Sequence, residues 1–192
     1  MDIDCAILGL LSLRPLSGYD LKKLFGDLNG YYWSGNNNQI YKSLLQLHQD
    51  GLVSQEVQYQ ASLPARKIYT LTEKGRAALR QWLLSSPELP EFRSAFLVQL
   101  TWADLLTASE LDALLANYED EVRAMLLMQQ EKARREAGPS ARTEREAFLW
   151  KMVSQHVIAT YQNEMDWVRQ VRGGLNSLGL PEGEKHEGPT SL

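Results

Sequence analysis

At 192 residues and 44% hydrophobic, the chain has room for one large domain or two small ones, each with a core. Its single cysteine, Cys5, excludes an internal disulfide and fits a reducing cytoplasm, and no apolar run approaches the ~20 residues of a membrane span. The formal charge of -4 excludes a chain that coats polyanions along its length. The charge is uneven, however: residues 1–83 hold nine Lys/Arg against seven Asp/Glu, residues 84–192 eleven against seventeen. That division leaves room for a mildly basic reading head.

The N-terminal MDIDCAILGLLSLRP carries Asp2 and Asp4 before its apolar segment, where a signal peptide would be basic, so it reads as a capped helix over 4–13. Arg14-Pro15 ends it. Ser17 can then cap a second helix with Asp20 reaching back, and Leu21, Leu24, Phe25 and Leu28 share one face of that helix. An Asn29-Gly30 turn and the aromatic run Tyr31-Tyr32-Trp33 lead into a third.

In that third helix Ile40, Leu44 and Leu47 recur at i, i+4, i+7, with Tyr41, Leu45 and His48 one position later, filling one side. Ser34 or one of Asn36, Asn37 and Asn38 caps its start, and Gly51 stops it. The other side carries Gln39, Lys42, Gln46 and Gln49. Amides and a cation suit a DNA major groove, where Asn and Gln pair with adenine and Lys with guanine or phosphate. A surface helix whose Asn run is only a cap and turn accounts for the same residues equally well.

Two strands follow, over 52–59 and 66–71, joined by a loose tip containing Pro64. Arg66 and Lys67 sit at that tip, placed to touch phosphate or enter a minor groove. Thr72-Glu73-Lys74 caps a further helix with Ala77, Ala78, Leu79, Trp82 and Leu83. Helix, helix, turn, helix is the order of a helix-turn-helix unit, and the hairpin adds a wing.

GYDLKK, NQIYKSLLQLHQDGLV and RKIYTLTEKGRAAL, in that order and spacing, resemble the PadR family of winged-helix transcriptional regulators. The resemblance covers roughly residues 4–84 and implies a head that binds a double-stranded DNA operator. One departure matters: relatives carry Ser/Thr-Gly-Thr before the tyrosine, and this chain has Gly35-Asn36-Asn37-Asn38-Gln39, so the operator sequence does not carry over.

Ser85 to Pro90, with two prolines, reads as a linker. Beyond it Phe92 to Leu106 is densely apolar, and Thr107 to Glu110 is a capping box. The box opens a long helix with Leu111, Leu114, Leu115, Tyr118, Val122, Met125 and Leu126, ended by Gly138-Pro139. A final helix over 144–172 has Trp150, Val153, Val157, Tyr161, Val168 and Val171 on one face and Leu149, Met152 and Trp167 beside it. Residues 176–192 read as a mobile tail. The arrangement is similar to the helical C-terminal domain of longer PadR-like proteins, which implies dimerisation. That apolar surface is wider than one neighbouring helix needs. Leu111, Leu115, Tyr118, Val122, Leu126, Trp150, Val153, Val157, Tyr161 and Val168 are therefore assigned to a homodimer interface.

Nothing in the sequence has the spacing of a catalytic or metal site: no His-x-x-x-His, paired Cys, phosphate loop or Gly-x-Ser-x-Gly elbow. No enzyme activity, cofactor or metal is expected. Glu119-Asp120-Glu121 reads as the solvated side of a helix. Trp82, Trp102, Trp150 and Trp167 read as core and interface packing, although the resemblance allows a flat aromatic effector.

The expected fold class is mainly α, with α+β character at the N-terminus. It comprises a winged helix-turn-helix head over 1–84, a linker over 85–90, a helical dimerisation domain over 91–175 and a tail over 176–192. The expected function is a cytoplasmic, effector-responsive repressor that binds a pseudo-palindromic operator as a homodimer, although activation is equally compatible with the residues. Its DNA contacts are assigned to Asn36, Asn37, Asn38, Gln39, Tyr41, Lys42, Gln46, Arg66 and Lys67. The alternative is a winged-helix and coiled-coil adaptor that binds protein and never DNA.

Overall fold

The computed structural model describes residues 3–27, 37–60, 63–87, 89, 94–135 and 140–178. The Asn29-Gly30 turn, the aromatic run 31–33, the cap at 34–36 and the tail beyond 178 lie outside the described residues. The chain divides into two compact units, Met1–Glu88 with Ala137–Ser140, and Leu89–Glu136 with Ala141–Leu192.

The first unit runs α1 (Ile3–Leu11), β1 (Leu16–Ser17), α2 (Gly18–Asp27), α3 (Asn37–Gln49), β2 (Val53–Gln60), β3 (Leu63–Leu71), α4 (Glu73–Leu83). Its core joins Ile7, Leu8 and Leu11 of α1, Leu21 and Phe25 of α2, and Ile40, Leu44 and Leu47 of α3 with Val53, Tyr69 and Leu71 of the sheet. The expected capping box is formed: Asp20 N–H donates to Ser17 Oγ at 3.1 Å, and Ser17 N–H donates to Asp20 Oδ2 at 3.1 Å. The antiparallel sheet has the order β1-β3-β2. The two-residue β1, pairing Leu16 with Tyr69 and Ser17 with Ile68, was not expected, because so short a strand carries no alternation to read.

Two of the sequence motifs have clear physical work. After α3, Gly51 takes φ +70°, and the amides of Gly51 and Leu52 close back on the carbonyls of His48 and Leu47 at 3.0 and 2.9 Å. That is the paired closure of a left-handed helix stop. Thr72 caps α4 by accepting from Gly75 N–H at 3.0 Å, while its hydroxyl lies 2.8 Å from the Gly51 carbonyl. Lys74 Nζ donates to the Asp50 carbonyl at 2.7 Å. A Cβ on Gly75 would stand 2.1 Å from the Leu52 carbonyl oxygen, so only glycine lets α4 approach this turn. The Thr-x-Lys-Gly sequence thus clamps α4 to the end of α3.

The second unit has α5 (Ala95–Thr101), a 3-10 turn (Ala103–Leu105), α6 (Ala108–Arg134) and α7 (Glu144–Ser177). The apolar run 92–106 thus holds one short helix and a 3-10 turn, and α7 passes through Gly173-Gly174 beyond its expected end. The Thr107–Glu110 box forms as expected. Helices α6 and α7 pair antiparallel: Leu115 packs with Val168, and Val122 and Leu126 pack with Met165. Phe96 of α5 stacks on Tyr118 with ring centroids 3.5 Å apart, and meets Trp167 edge-on at 6.2 Å.

Glu119 was read as solvated but is 6% exposed. Arg123, Arg169 and Arg172 reach its carboxylate at 2.9, 3.2 and 2.9 Å, and Arg172 also reaches Asp112 at 2.8 Å. The hydrogen bond from Arg172, resisted by burial and reinforced by Arg169 and Arg123, holds the Glu119 carboxyl below its ordinary value. A carboxyl lowered in the folded state contributes stability above its unfolded pKa and loses it as pH falls. Acid titration followed by circular dichroism is therefore expected to show Glu119→Gln less sensitive than the wild type below pH 4.5. At pH 7 the substitution should cost about 1.5–3 kcal/mol. Equal stability at pH 7 with an unchanged acid profile would remove the hub from the account.

Candidate nucleic-acid interface

Helix α3 is oriented by one narrow apolar row. Ile40, Leu44 and Leu47 are buried with Ser43, and α3 packs on α1 and α2 through them. The second row differs from the sequence reading: Tyr41, Leu45 and His48 are exposed. The small Ser43 occupies the flank of the seam, so the buried arc closes toward that side and turns Tyr41 and Leu45 outward. Asn38, Gln39, Lys42, Gln46 and Gln49 are exposed with them. Asn36 lies outside the described residues; Asn37 opens the helix.

The exposed side chains are not equivalent. Lys42 and Lys67 form no ion pair among the described residues, so both cations are available to a phosphate. Gln46 donates its amide protons to the Asp50 carboxylate at 3.0 and 3.1 Å, which leaves its carbonyl oxygen as the readily offered group. Tyr41 lies against the start of α2, where a Cβ on Gly18 would fall 2.5 Å from its ring. Gly18 is the contact that lets the tyrosine cover the α2 N-terminus while staying half exposed. Burial first, and the neighbouring Tyr41 second, push the Tyr69 phenol above its ordinary range.

Arg66 and Lys67, taken together in the sequence, separate in the hairpin. Register pairs Gln58 with Arg66 and Val57 with Lys67, so the two cations point to opposite faces. Arg66 Nη2 is bound to the Asp20 carboxylate and lies 3.1 Å from Ser17 Oγ. Burial pushes the Asp20 carboxyl up, but hydrogen bonds from Ser17 and the Arg66 charge outweigh it and hold it low. Exposed residues that the sequence reading passed over are Tyr59 on the wing and Tyr19, Lys22 and Lys23 on α2. Lys22 and Lys23 stand in the GYDLKK motif, and only the placement of α2 separates its exposed side from its buried one.

Most of the residues assigned to a dimer interface are used inside the chain. Leu115, Val122, Leu126 and Val168 are buried between α6 and α7, and Leu111, Tyr118 and Tyr161 pack on the same clusters. Tyr118 also donates to Glu164 at 2.7 Å. Trp150 and Val157 are partly buried, and Val153 is exposed. Two turns of α7 present a second apolar face, Phe148, Leu149, Met152 and Val153, between 40% and 59% exposed. Trp82 and Trp102 are exposed, so neither packs in the core of its own unit. Among the described residues no cluster of three His, Cys, Asp or Glu is arranged to hold a metal, and no helix is long and apolar enough to cross a membrane.

The transcriptional regulator PadR-like family matches residues 7–81, and the virulence activator alpha C-terminal family matches residues 92–176. The chain is similar to the negative transcriptional regulator PadR of Bacillus subtilis, 34% identical over 106 residues, 55% of this chain and 58% of that protein. It spans little more than half the length of the curated relatives it matches. Among solved structures it is similar to Bacillus subtilis PadR in complex with operator DNA, with 26% identity and a TM-score of 0.77 over 88% of this chain and 96% of that one. The same protein in complex with p-coumaric acid gives a TM-score of 0.74 at 25% identity, over 91% and 98%. The Vibrio cholerae virulence activator AphA gives 0.70 at 26%, over 92% and 99%. These relatives are regulators of transcription and not enzymes. The chain thus carries a PadR-like winged helix-turn-helix domain over residues 7–81, followed by a helical domain of the virulence activator alpha C-terminal type over residues 92–176.

Proposed function

We propose that the chain is a cytoplasmic, sequence-specific DNA-binding regulator of transcription that acts as a homodimer. Residues 1–84 are its reading head, 85–90 its linker and 91–175 its dimerisation domain. The observation that carries the reading is α3, whose apolar row is spent on the core while Gln39 and Lys42 project from it in water. Asn38, Gln39 and the carbonyl oxygen of Gln46 read base edges, and Asn36 and Asn37 are assigned to the same task. Lys42, Lys67 and the Tyr41 hydroxyl hold phosphates. The similarity to a PadR bound to operator DNA supports this over the adaptor reading. Repression relieved by a small aromatic effector is the regulatory mode we favour, because the relatives include a negative regulator and one solved with p-coumaric acid.

Lys42→Ala is expected to weaken all duplexes alike and to lower the salt slope by about 0.9, the value of one phosphate. Gln39→Ala should instead relax preference at one base pair, at about 1–3 kcal/mol. A titration of binding against salt, run on a duplex selected from a random pool by the wild-type protein, separates the two effects. Binding by both variants indistinguishable from the wild type would remove α3 from the groove.

One head offers a short helix and a handful of cations, which supports weak binding at physiological salt. Joining two heads raises affinity ~10²–10⁴-fold. The second apolar face of α7 is suited to that join, since Leu149 and Met152 are not needed by the α6–α7 packing. Leu149→Glu combined with Met152→Glu is expected to leave a folded monomer in sedimentation and to lose affinity for the selected duplex ~10²-fold or more. A dimer of unchanged affinity would move the interface elsewhere.

A further inference from the structure

The wing is short of internal support at its outer end. Strand β1 pairs only with Ile68 and Tyr69 of β3, so from Lys67 outward the hairpin is two strands with no third beside them. A two-stranded hairpin is marginal on its own, and its angle to the body is set by whatever else holds it. Arg66 lies in this outer part, two residues beyond the last β1 pair.

Its partner is built into the start of α2. Asp20 accepts from both the Ser17 amide and the Ser17 hydroxyl, at 3.1 and 2.9 Å, so its carboxylate is fixed before Arg66 arrives. Arg66 bonds that carboxylate and stands 3.1 Å from Ser17 Oγ. On the next residue, Gly18, rests Tyr41 of α3. A continuous set of contacts therefore runs from the wing through the α2 cap to α3. Arg14 and Gln58 line the same shallow recess as Asp20 and Arg66. Arg14 has no ion pair among the described residues, so the pairing of Arg66 with Asp20 leaves a cation of the recess in water.

We infer that Asp20 and Arg66 are positioning residues for DNA recognition: their ion pair fixes the wing relative to α3, so operator affinity depends on two side chains that touch no DNA. The inference rests on the DNA-binding reading above. It gives Arg66, which the register places within β3 and not at the tip, a different role from the phosphate contact expected from sequence, and leaves that task to Lys67 on the opposite face.

The charges make the two roles separable. Asp20→Asn removes a negative charge from the head, so by Coulomb attraction alone it should strengthen binding to every duplex. Loss of wing position should instead weaken the selected duplex and spare a scrambled one. Arg66→Gln removes a cation: a phosphate contact would lower the salt slope by about 0.9, and a positioning role would leave it unchanged.

The experiment measures the full-length protein and its D20N and R66Q variants against the pool-selected duplex and a scrambled duplex of equal length, over a range of salt. Arg66 is half exposed, so R66Q is expected to keep the fold and the thermal midpoint. The expected result is a loss of about tenfold on the selected duplex for both variants, with unchanged slopes and D20N at least as tight as wild type on the scrambled duplex. A slope lowered by one phosphate in R66Q, or full affinity of R66Q for the selected duplex, would each overturn the inference. Absence of duplex binding by the wild type would instead refute the DNA-binding reading itself.

Discussion

Burial of Ile40, Leu44 and Leu47 is the constraint on which the rest depends. Each contributes about 1.5–3 kcal/mol relative to exposure, and together they fix the rotation of α3 about its own axis. A turn of one residue would drive Tyr41 or Ser43 toward the core and lift a leucine into water. The polar edge is therefore presented by default: Gln39 and Lys42 face solvent because the opposite face cannot. Around that seat the head adds local closures. Gly51 ends the helix, Thr72 and Gly75 bring α4 against that end, and Gly18 admits Tyr41.

Charge is distributed by task. In the head, Lys42 and Lys67 stay unpaired among the described residues, and such cations give association with DNA its reach and its salt dependence. In the helical unit three arginines are consumed on one buried carboxylate. Arg123, Arg169 and Arg172 close on Glu119, and Arg172 closes on Asp112 as well. The Glu119 carboxylate is buried while the three guanidinium groups are a third or more exposed, and the two arginines of α7 tie that helix to α6. An overall negative chain can thus carry a nucleic-acid interface: the acidic surplus and the internal arginines belong to another unit.

Local signals in the sequence translated directly into structure. The Ser17–Asp20 and Thr107–Glu110 boxes, the i, i+4, i+7 row of α3 and the stop at Gly51 each involve groups within a few residues, so spacing alone specified them. What escaped depends on distance along the chain. Arg66 looked like a free cation because its partner lies 46 residues earlier. Glu119 looked solvated because two of its arginines lie on α7. Leu115, Val122, Leu126 and Val168 were offered to a second copy, yet periodicity shows only that a face is apolar and not which helix covers it. Strand β1 was invisible for another reason: two residues have no period.

The central claim is that α3 of each of two symmetric heads lies in a major groove. Methylation interference on the pool-selected duplex tests it most directly, since dimethyl sulfate marks guanine N7 in the major groove and adenine N3 in the minor. The account predicts that N7 methylation blocks binding in two symmetric clusters, one duplex turn apart or a multiple of it. Interference confined to adenine N3, or to a single unsymmetrical cluster, would contradict it.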